Sequence, residues 1–170
     1  MDTYLAVASK RDWRSYADRP VPLDVQLRIL DAGRVSGSAV NRQPWRFVVV
    51  EGDAWKRALA ATVYSPRNIE TAALVVVVVT EEGGRAFDVG RAVQNMMLTA
   101  WNDGVVSCPN GMPDAAAAAD ALGLEGDLLP VIILSIGYPR RDLAPTSKSA
   151  EEWSGEANRL VLDEVVVQRL

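Results

Sequence analysis

The stretch RVSGSAVNRQPWRFVVV, residues 34–50, joins a turn of small residues to two amide side chains and a strand. Gly37 and its small neighbours allow the backbone to approach another group closely. Asn41 and Gln43 each carry hydrogen-bond donors and an acceptor, which suits the recognition of a polar ring edge. Pro44 disfavours helix at the residue before it, and the β-branched run that follows predicts a buried strand. The alternative is an ordinary helix–loop–strand connection whose amides satisfy backbone groups.

The composition limits the chemistry that the side chains can perform. The chain has no histidine, which excludes Ser-His and Cys-His nucleophiles and most zinc and iron sites, and no metal site is predicted. Its single cysteine, Cys108, cannot form an internal disulfide and indicates a reducing compartment. The net charge of −4 without a basic block gives no support for a nucleic-acid partner. Redox or group-transfer chemistry would therefore depend on a cofactor.

The hydropathy pattern predicts a protein without a membrane partner. The longest apolar run, residues 72–79, is far shorter than the roughly 20 residues that cross a bilayer. The amino terminus has no apolar core of the kind found in signal peptides. We expect a cytoplasmic protein.

Hydrophobic periodicity predicts one α+β domain over residues 1–170. Residues 81–84 are predicted as an exposed turn, and residues 140–170 as a carboxy-terminal arm that is polar to residue 157 and ends in a strand at 160–167. Helices are predicted at residues 3–9, 53–63, 87–103 and 115–122. A further helix is predicted to begin at the start signals of residues 22–24 and to end at residue 33. Strands are predicted at residues 47–50, 72–80 and 129–137, with a short one from 105 leading into a turn at 109–111.

Two further segments have the chemistry of a binding site. Lys10, Arg11 and Arg14 lie within five residues and could together bind a phosphate monoester, although a solvated basic helix end has the same pattern. The Pro-Asn-Gly sequence at 109–111 could place backbone N–H groups against a planar ring, but it is also an ordinary turn sequence.

Five segments, taken in order along the chain, resemble the signatures of the nitroreductase family of FMN flavoproteins. Residues 10–16 resemble its Arg-Arg-Ser-x-Arg-x-Phe signature, and residues 38–47 its Ser-x-x-Asn-x-Gln-Pro-Trp-x-Phe signature. The other three are the helical motif at 88–96, the turn at 104–111, and the pair formed by 136–139 and 158–164. The resemblance implies a central mixed sheet flanked by helices and an intertwined homodimer, with the arm packing on the partner subunit.

The resemblance also implies how the polar end of FMN is bound. Lys10, Arg11 and Arg14 would hold its phosphate and ribityl chain, and Arg159 would join them from the far end of the sequence. Asp12 would lie near the polar edge of the flavin, where the family often has Ser.

The flavin ring, by the same resemblance, contacts residues of both subunits. Ser38, Ala39 and Asn41 would come from the partner subunit, and Gln43 would support their loop. Asn68 would bond the ring. Backbone N–H groups near N5 and the ring carbonyls would come from Pro109, Asn110 and Gly111.

The implied activity is ping-pong transfer of a hydride from NADH or NADPH to FMN and then to a small acceptor such as a nitroaromatic or quinone. Three departures from the family leave alternatives. The chain is short, which implies a reduced lid. Ala157 stands where the family has a Lys, so one phosphate cation is missing, and Lys148 is a candidate replacement. Asp12 matches a motif of flavin destructases, which act on reduced FMN; otherwise it would cap a helix or pair with Arg11 or Arg14.

Two further alternatives are a flavin-binding or sensing protein with little turnover, and a structural domain without flavin. The sequence does not indicate the acceptor or the choice between NADH and NADPH.

Overall fold

The computed structural model describes residues 1–81 and 86–168, which form two compact units. The larger unit is Arg11–Leu143, and the smaller consists of Met1–Lys10 and Ala144–Leu170. Most of the predicted turn at 81–84 and the last two residues of the arm lie outside the described residues. The single domain over residues 1–170 stays a prediction.

The larger unit is built on a four-stranded sheet in the order β1-β2-β4-β3. Its strands are β1 (Trp45–Val50), β2 (Leu74–Glu81), β3 (Val106–Asn110) and β4 (Leu128–Gly137). β2 is buried from Leu74 to Thr80 because its unbroken β-branched run is covered on both faces, as the sequence predicts. A register shift between Val78 and Val79 leaves Val131 of β4 as the extra residue of a bulge beside Pro130.

All three strand pairings in this sheet are antiparallel, whereas a mixed sheet is expected from the resemblance. Among the described residues, the parallel contact is the isolated bridge between Asp12 and Ser107. The carboxy-terminal segment that the sequence predicts as a further strand is helical at Leu162–Val165 and supplies no parallel pairing here.

Helices cover both faces of the sheet. The helices of the described residues are α1 (Thr3–Ser9), α2 (Leu23–Arg34), α3 (Asp53–Ala60), α4 (Pro66–Glu70), α5 (Ala86–Asn102), α6 (Ala115–Leu122), α7 (Ala150–Glu156) and α8 (Leu162–Val165). One layer consists of α2 and α5, whose Ile29 and Met96 pack with Val76 and Val78. The other consists of α3, α4 and α6, and in it Leu59 packs with the opposite face of β2. The α+β class with helices flanking a central sheet is thereby confirmed.

Two local predictions in the larger unit are wrong. Residues 64–68 are expected to break the helix at 53–63 and to form no helix of their own, but α4 begins at Pro66, because the ring of proline fixes a φ angle suited to the first helical position. The turn expected at 109–111 begins later, because Pro109 and Asn110 belong to β3. β3 is an edge strand, where a residue without a backbone N–H is tolerated.

The smaller unit is helical. α1 packs against α7 and against a 3-10 turn at Pro145–Ser147. Ser149 and Glu152 form a reciprocal capping box at the start of α7. The polar part of the predicted arm thus contains a helix, and the prediction of a strand at 160–167 is wrong. A strand needs a neighbouring edge, and the apolar side chains of residues 160–162 are instead exposed around the start of α8.

None of the helices in the described part of the chain combines the length and apolarity needed to span a membrane.

Shortening Leu59 to Ala should lower the free energy of unfolding by about 2–5 kcal/mol, because a fully buried side chain leaves a cavity between α3 and the sheet. The matched control is Leu23→Ala on α2, where the side chain is 68% exposed and the expected change is below about 0.5 kcal/mol. Urea unfolding followed by circular dichroism at a fixed protein concentration measures both. Equal losses in the two variants would contradict the packing described here.

Candidate functional site

The loop between α2 and β1, residues 35–44, is called the amide loop here because it carries Asn41 and Gln43. Its backbone has an unusual conformation. Val40, Asn41 and Gln43 have φ angles of 51°, 54° and 48°, in the left-handed region that Asn adopts more readily than β-branched residues. The Gln43 N–H donates to Ser38 Oγ at 2.8 Å, and the Gln43 side chain donates to the Asn41 carbonyl at 3.3 Å. Val40 is 86% exposed and Asn41 is also exposed. The loop therefore presents its polar side chains outward on a strained frame.

Asp88 fixes this loop to α5. The carboxylate, only 2% exposed, accepts the Ala39 N–H at 3.3 and 3.2 Å through its two oxygens. Arg91 Nη1 lies 3.9 Å from the same carboxylate. A Cβ at Gly37 would lie 2.6 Å from Arg91 Nη2, so a larger residue there would displace the end of the Arg91 side chain. Asp88 belongs to the helical motif at 88–96, but the sequence carries no signal that it positions the loop.

The amino-terminal cationic segment runs beside β3. Asp12 bridges to Ser107, and the Trp13 N–H donates to the Ser107 carbonyl at 3.1 Å. Asp12 and Arg14 are exposed and Arg11 is half-buried. The helix-cap alternative for Asp12 is wrong, because α2, the next helix of the described chain, begins at Leu23.

Two of the predicted phosphate ligands belong to the smaller unit. Lys10 caps the carboxyl end of α1, and Arg159 is exposed between α7 and α8. Lys148, the candidate replacement for the missing cation, pairs with Glu156 and lies 5.1 Å above the Trp153 ring. These contacts lie within its own unit, and Lys148 as a replacement phosphate ligand stays a prediction.

Asn68 and Asn110 bond each other in the interior. Asn68 Nδ2 donates to Asn110 Oδ1 at 2.8 Å. Asn110 Nδ2 lies within hydrogen-bond distance of Ser135 Oγ at 2.9 Å and of the Cys108 and Ile133 carbonyls at 2.9 and 3.2 Å. Both asparagines are buried, so their side chains have structural partners in addition to any role at a ring.

The same network continues to Tyr16. The Tyr16 hydroxyl lies 2.7 Å from Ser135 Oγ and within 3.0 Å of the Ser135 and Trp13 carbonyls. Burial raises the pKa of the Tyr16 hydroxyl far above its ordinary value, so it stays a hydrogen-bond donor. The contact between Tyr16 and Ser135 could not be predicted from the sequence, because a tyrosine after a charged segment and a serine in an apolar strand carry no local signal of pairing.

The predicted N–H donors at the end of β3 are reduced to two. Pro109 has no backbone N–H, so Asn110 and Gly111 are the residues of this group that could donate. Gly111 is exposed directly after the strand, and its carbonyl accepts the Tyr64 N–H at 3.4 Å. In the described residues, no three His, Cys, Asp or Glu side chains gather as metal ligands.

The family of the chain follows from comparison with known proteins. The sequence model of the Nitroreductase family matches residues 7–87 and 68–138, which together are more than half of the chain. The chain belongs to the nitroreductase family.

Relatives agree with this in sequence and in fold. A protein of Methanothermobacter thermautotrophicus named "Putative NADH dehydrogenase/NAD(P)H nitroreductase" is 25% identical over 169 residues, which are 90% of this chain and 88% of the relative. A crystal structure from Desulfovibrio desulfuricans, described as "a putative nitroreductase in complex with FMN", has a TM-score of 0.83 at 25% identity and covers 100% of this chain and 98% of its own. A nitroreductase family protein of Clostridium difficile has a TM-score of 0.80 at 25% identity, with 98% and 97% covered. The predicted nitroreductase-like fold is confirmed.

Replacing Asp88 with Asn should loosen the amide loop, because the charged acceptor of the Ala39 N–H is lost inside the protein. We expect a loss of about 1–3 kcal/mol in unfolding free energy and faster tryptic cleavage after Arg42 in the native protein. Asp120→Asn, at an exposed position of α6, is the control and should change neither. Equal cleavage rates in the two variants would show that Asp88 does not hold the loop.

Replacing Tyr16 with Phe should cost about 1–3 kcal/mol of unfolding free energy, because buried acceptors lose their donor. Tyr64→Phe, whose side chain is 73% exposed, should stay within about 0.5 kcal/mol of wild type. Urea titration of both variants tests this. A Tyr16→Phe protein as stable as Tyr64→Phe would show that the hydroxyl network adds nothing to stability.

Proposed function

We propose that the protein is an FMN-dependent NAD(P)H oxidoreductase that reduces a small acceptor such as a nitroaromatic or a quinone. The observation that carries the proposal is the family match from residue 7 to residue 138, which includes both the amino-terminal cations and the amide loop. The name of the Methanothermobacter relative and the FMN complex of the Desulfovibrio structure support the same activity and cofactor.

The residues of the chain fit FMN by their chemistry. Arg14 offers a planar guanidinium for phosphate or ribityl oxygens, and it is exposed. Asn41 and Gln43 offer amides for a polar ring edge, and both are exposed on the amide loop. Lys10, Arg11 and Arg159 remain predicted phosphate ligands. Asp12, Ser38, Ala39, Asn68, Asn110 and Gly111 remain predicted flavin contacts, and Pro109 could contribute only its ring and carbonyl.

The part played by this chain is binding and orientation. Bound FMN would supply the redox chemistry, which in the proposed ping-pong sequence would be hydride acceptance from NADH or NADPH and electron transfer to the second substrate. Asp88 would hold the amide loop in register, and Tyr16 and Ser135 would fix the segment that carries Arg14. No side chain has to act as a nucleophile, so the absence of histidine is compatible with this activity.

A homodimer belongs to the proposal, because the amide loop would serve the flavin of the partner subunit. Apolar side chains support a second copy: Leu160, Val161, Leu162 and Val167 are all exposed at the end of the chain. Within the described residues, β1 also leaves one edge of the sheet unpaired. Such surfaces are commonly covered in an assembly.

The first experiment is the visible spectrum of the purified protein, followed by anaerobic additions of NADH and NADPH. We expect flavin bands that bleach with at least one nucleotide, and steady-state turnover with a quinone or nitroaromatic acceptor. A yellow protein that does not bleach would favour a flavin-binding protein or a flavin-destructase activity involving Asp12. A colourless protein that takes up no FMN would overturn the proposal.

Sedimentation equilibrium of the flavin-loaded protein tests the assembly. A dimer is expected. A monomer that keeps FMN bound would contradict the shared site.

A further inference from the structure

Three arginines of the larger unit line one small cavity. Arg14, Arg67 and Arg140 surround a space of about 300 Å³, together with the hydroxyl-bearing Ser15 and Thr71. The residues come from three separate parts of the chain: the amino-terminal segment, α4 with the residue after it, and the turn after β4. We refer to this cavity as the arginine pocket.

The walls of the arginine pocket are held in place by buried groups. Arg140 Nε donates to the Tyr16 carbonyl at 2.8 Å, and Tyr16 is fixed through its hydroxyl to Ser135. Arg67 precedes Asn68, whose amide is bonded to Asn110 in the interior. The guanidinium groups therefore stand on a backbone that the hydrogen-bond network positions in advance of any ligand.

The lining of the arginine pocket contains three exposed cationic side chains and no carboxylate. Some other arginines of the described chain pair with carboxylates, as Arg28 does with Asp103 at 3.0 Å and Arg34 with Asp31 at 2.6 Å. The three guanidiniums of the pocket form no ion pair with any carboxylate among the described residues. Like charges around one cavity repel, and a dianion placed between them would remove that repulsion.

The donor geometry favours a tetrahedral oxyanion. Guanidinium groups present paired N–H donors that match two oxygens of a phosphate, and the Ser15 hydroxyl adds a single donor. The Thr71 hydroxyl donates to the Arg67 carbonyl at 2.8 Å and forms part of the wall. A cavity of about 300 Å³ is at the lower limit for a whole small-molecule ligand, which suits one end of a larger molecule.

We propose that the arginine pocket binds a phosphate monoester, with Arg67 and Arg140 as ligands in addition to Arg14. On the proposed function, two molecules bring such a group: FMN through its 5′-phosphate and NADPH through its 2′-phosphate. Each has a matched partner without that phosphate, namely riboflavin and NADH.

The variants that test the pocket are Arg67→Gln and Arg140→Gln, with Arg141→Gln as the matched control. Arg141 is exposed, adjoins Arg140 and does not line the pocket. Because Arg140 also donates to the Tyr16 carbonyl, its replacement could disturb folding. The Arg67 side chain makes no hydrogen bond or ion pair with other described residues, and its backbone carbonyl keeps its bonds from Thr71 in the variant, so Arg67→Gln tests the ligand role without that complication.

Two preferences are measured on the flavin-loaded protein. The first is FMN over riboflavin, from fluorescence of flavin released on dilution and on exchange. The second is NADPH over NADH, from the ratio of kcat/KM values. If FMN supplies the phosphate, Arg67→Gln should lower the first preference by roughly tenfold or more and leave the second unchanged. If NADPH supplies the phosphate, Arg67→Gln should lower the preference for NADPH over NADH by a similar factor and leave the preference for FMN over riboflavin unchanged. Both preferences equal to those of Arg141→Gln would overturn the proposal.

A third measurement separates this proposal from the proposed function. Inorganic phosphate should raise the thermal midpoint of the wild-type chain and of Arg141→Gln, and less so that of Arg67→Gln. If the wild type bound no flavin and oxidised no nicotinamide, the proposed function would fail, and this difference alone would decide for or against the pocket. Identical phosphate shifts in all variants would then overturn it.

Discussion

The buried hydrogen-bond chain from Asn68 through Asn110 and Ser135 to the Tyr16 hydroxyl is the interaction on which the functional face of the larger unit depends. It joins four segments that are distant in sequence: α4, β3, β4 and the amino-terminal segment. In a low-dielectric interior these polar groups are stable only when all of them are paired, so each segment restricts the position of the others. The positions of the exposed residues that could contact a ligand therefore depend on these buried hydrogen bonds.

A second fixed point lies on the opposite layer, where Asp88 of α5 binds the amide loop. α5 is itself held by a broad apolar face against the sheet, with Met96 completely buried. The packing of a long helix thus sets the position of a short loop through one buried carboxylate. In both cases, rigid elements of the core determine where exposed polar groups stand.

The regular elements could be predicted because their own residues carry the signal. β2 is a nearly continuous β-branched run. α5 has apolar residues at helical spacing and ends at Asn102, two residues before Gly104, whose φ angle is +72°. The amide loop could be located from its small residues and amides. Its left-handed backbone at Val40 could not, because tertiary contacts and not local preference impose that conformation.

The site was harder to predict where residues act in pairs from different segments. Asn110 reads as part of a Pro-Asn-Gly turn, yet pairing with Ile133 extends β3 through it. Arg67 and Arg140 carry no sequence motif, and only the fold brings them beside Arg14. The carboxy-terminal residues read as a strand because of their valines, but a strand needs an edge that this segment does not find within the described chain.

The conformation of Val40 places backbone strain in the amide loop. A β-branched residue at a φ of 51° is less stable there by roughly 1–2 kcal/mol than in an ordinary conformation, and the loop carries this cost while it is closed against α5. Any change that weakens the contact between Asp88 and the Ala39 N–H therefore removes a restraint on a conformation that Val40 does not prefer by itself.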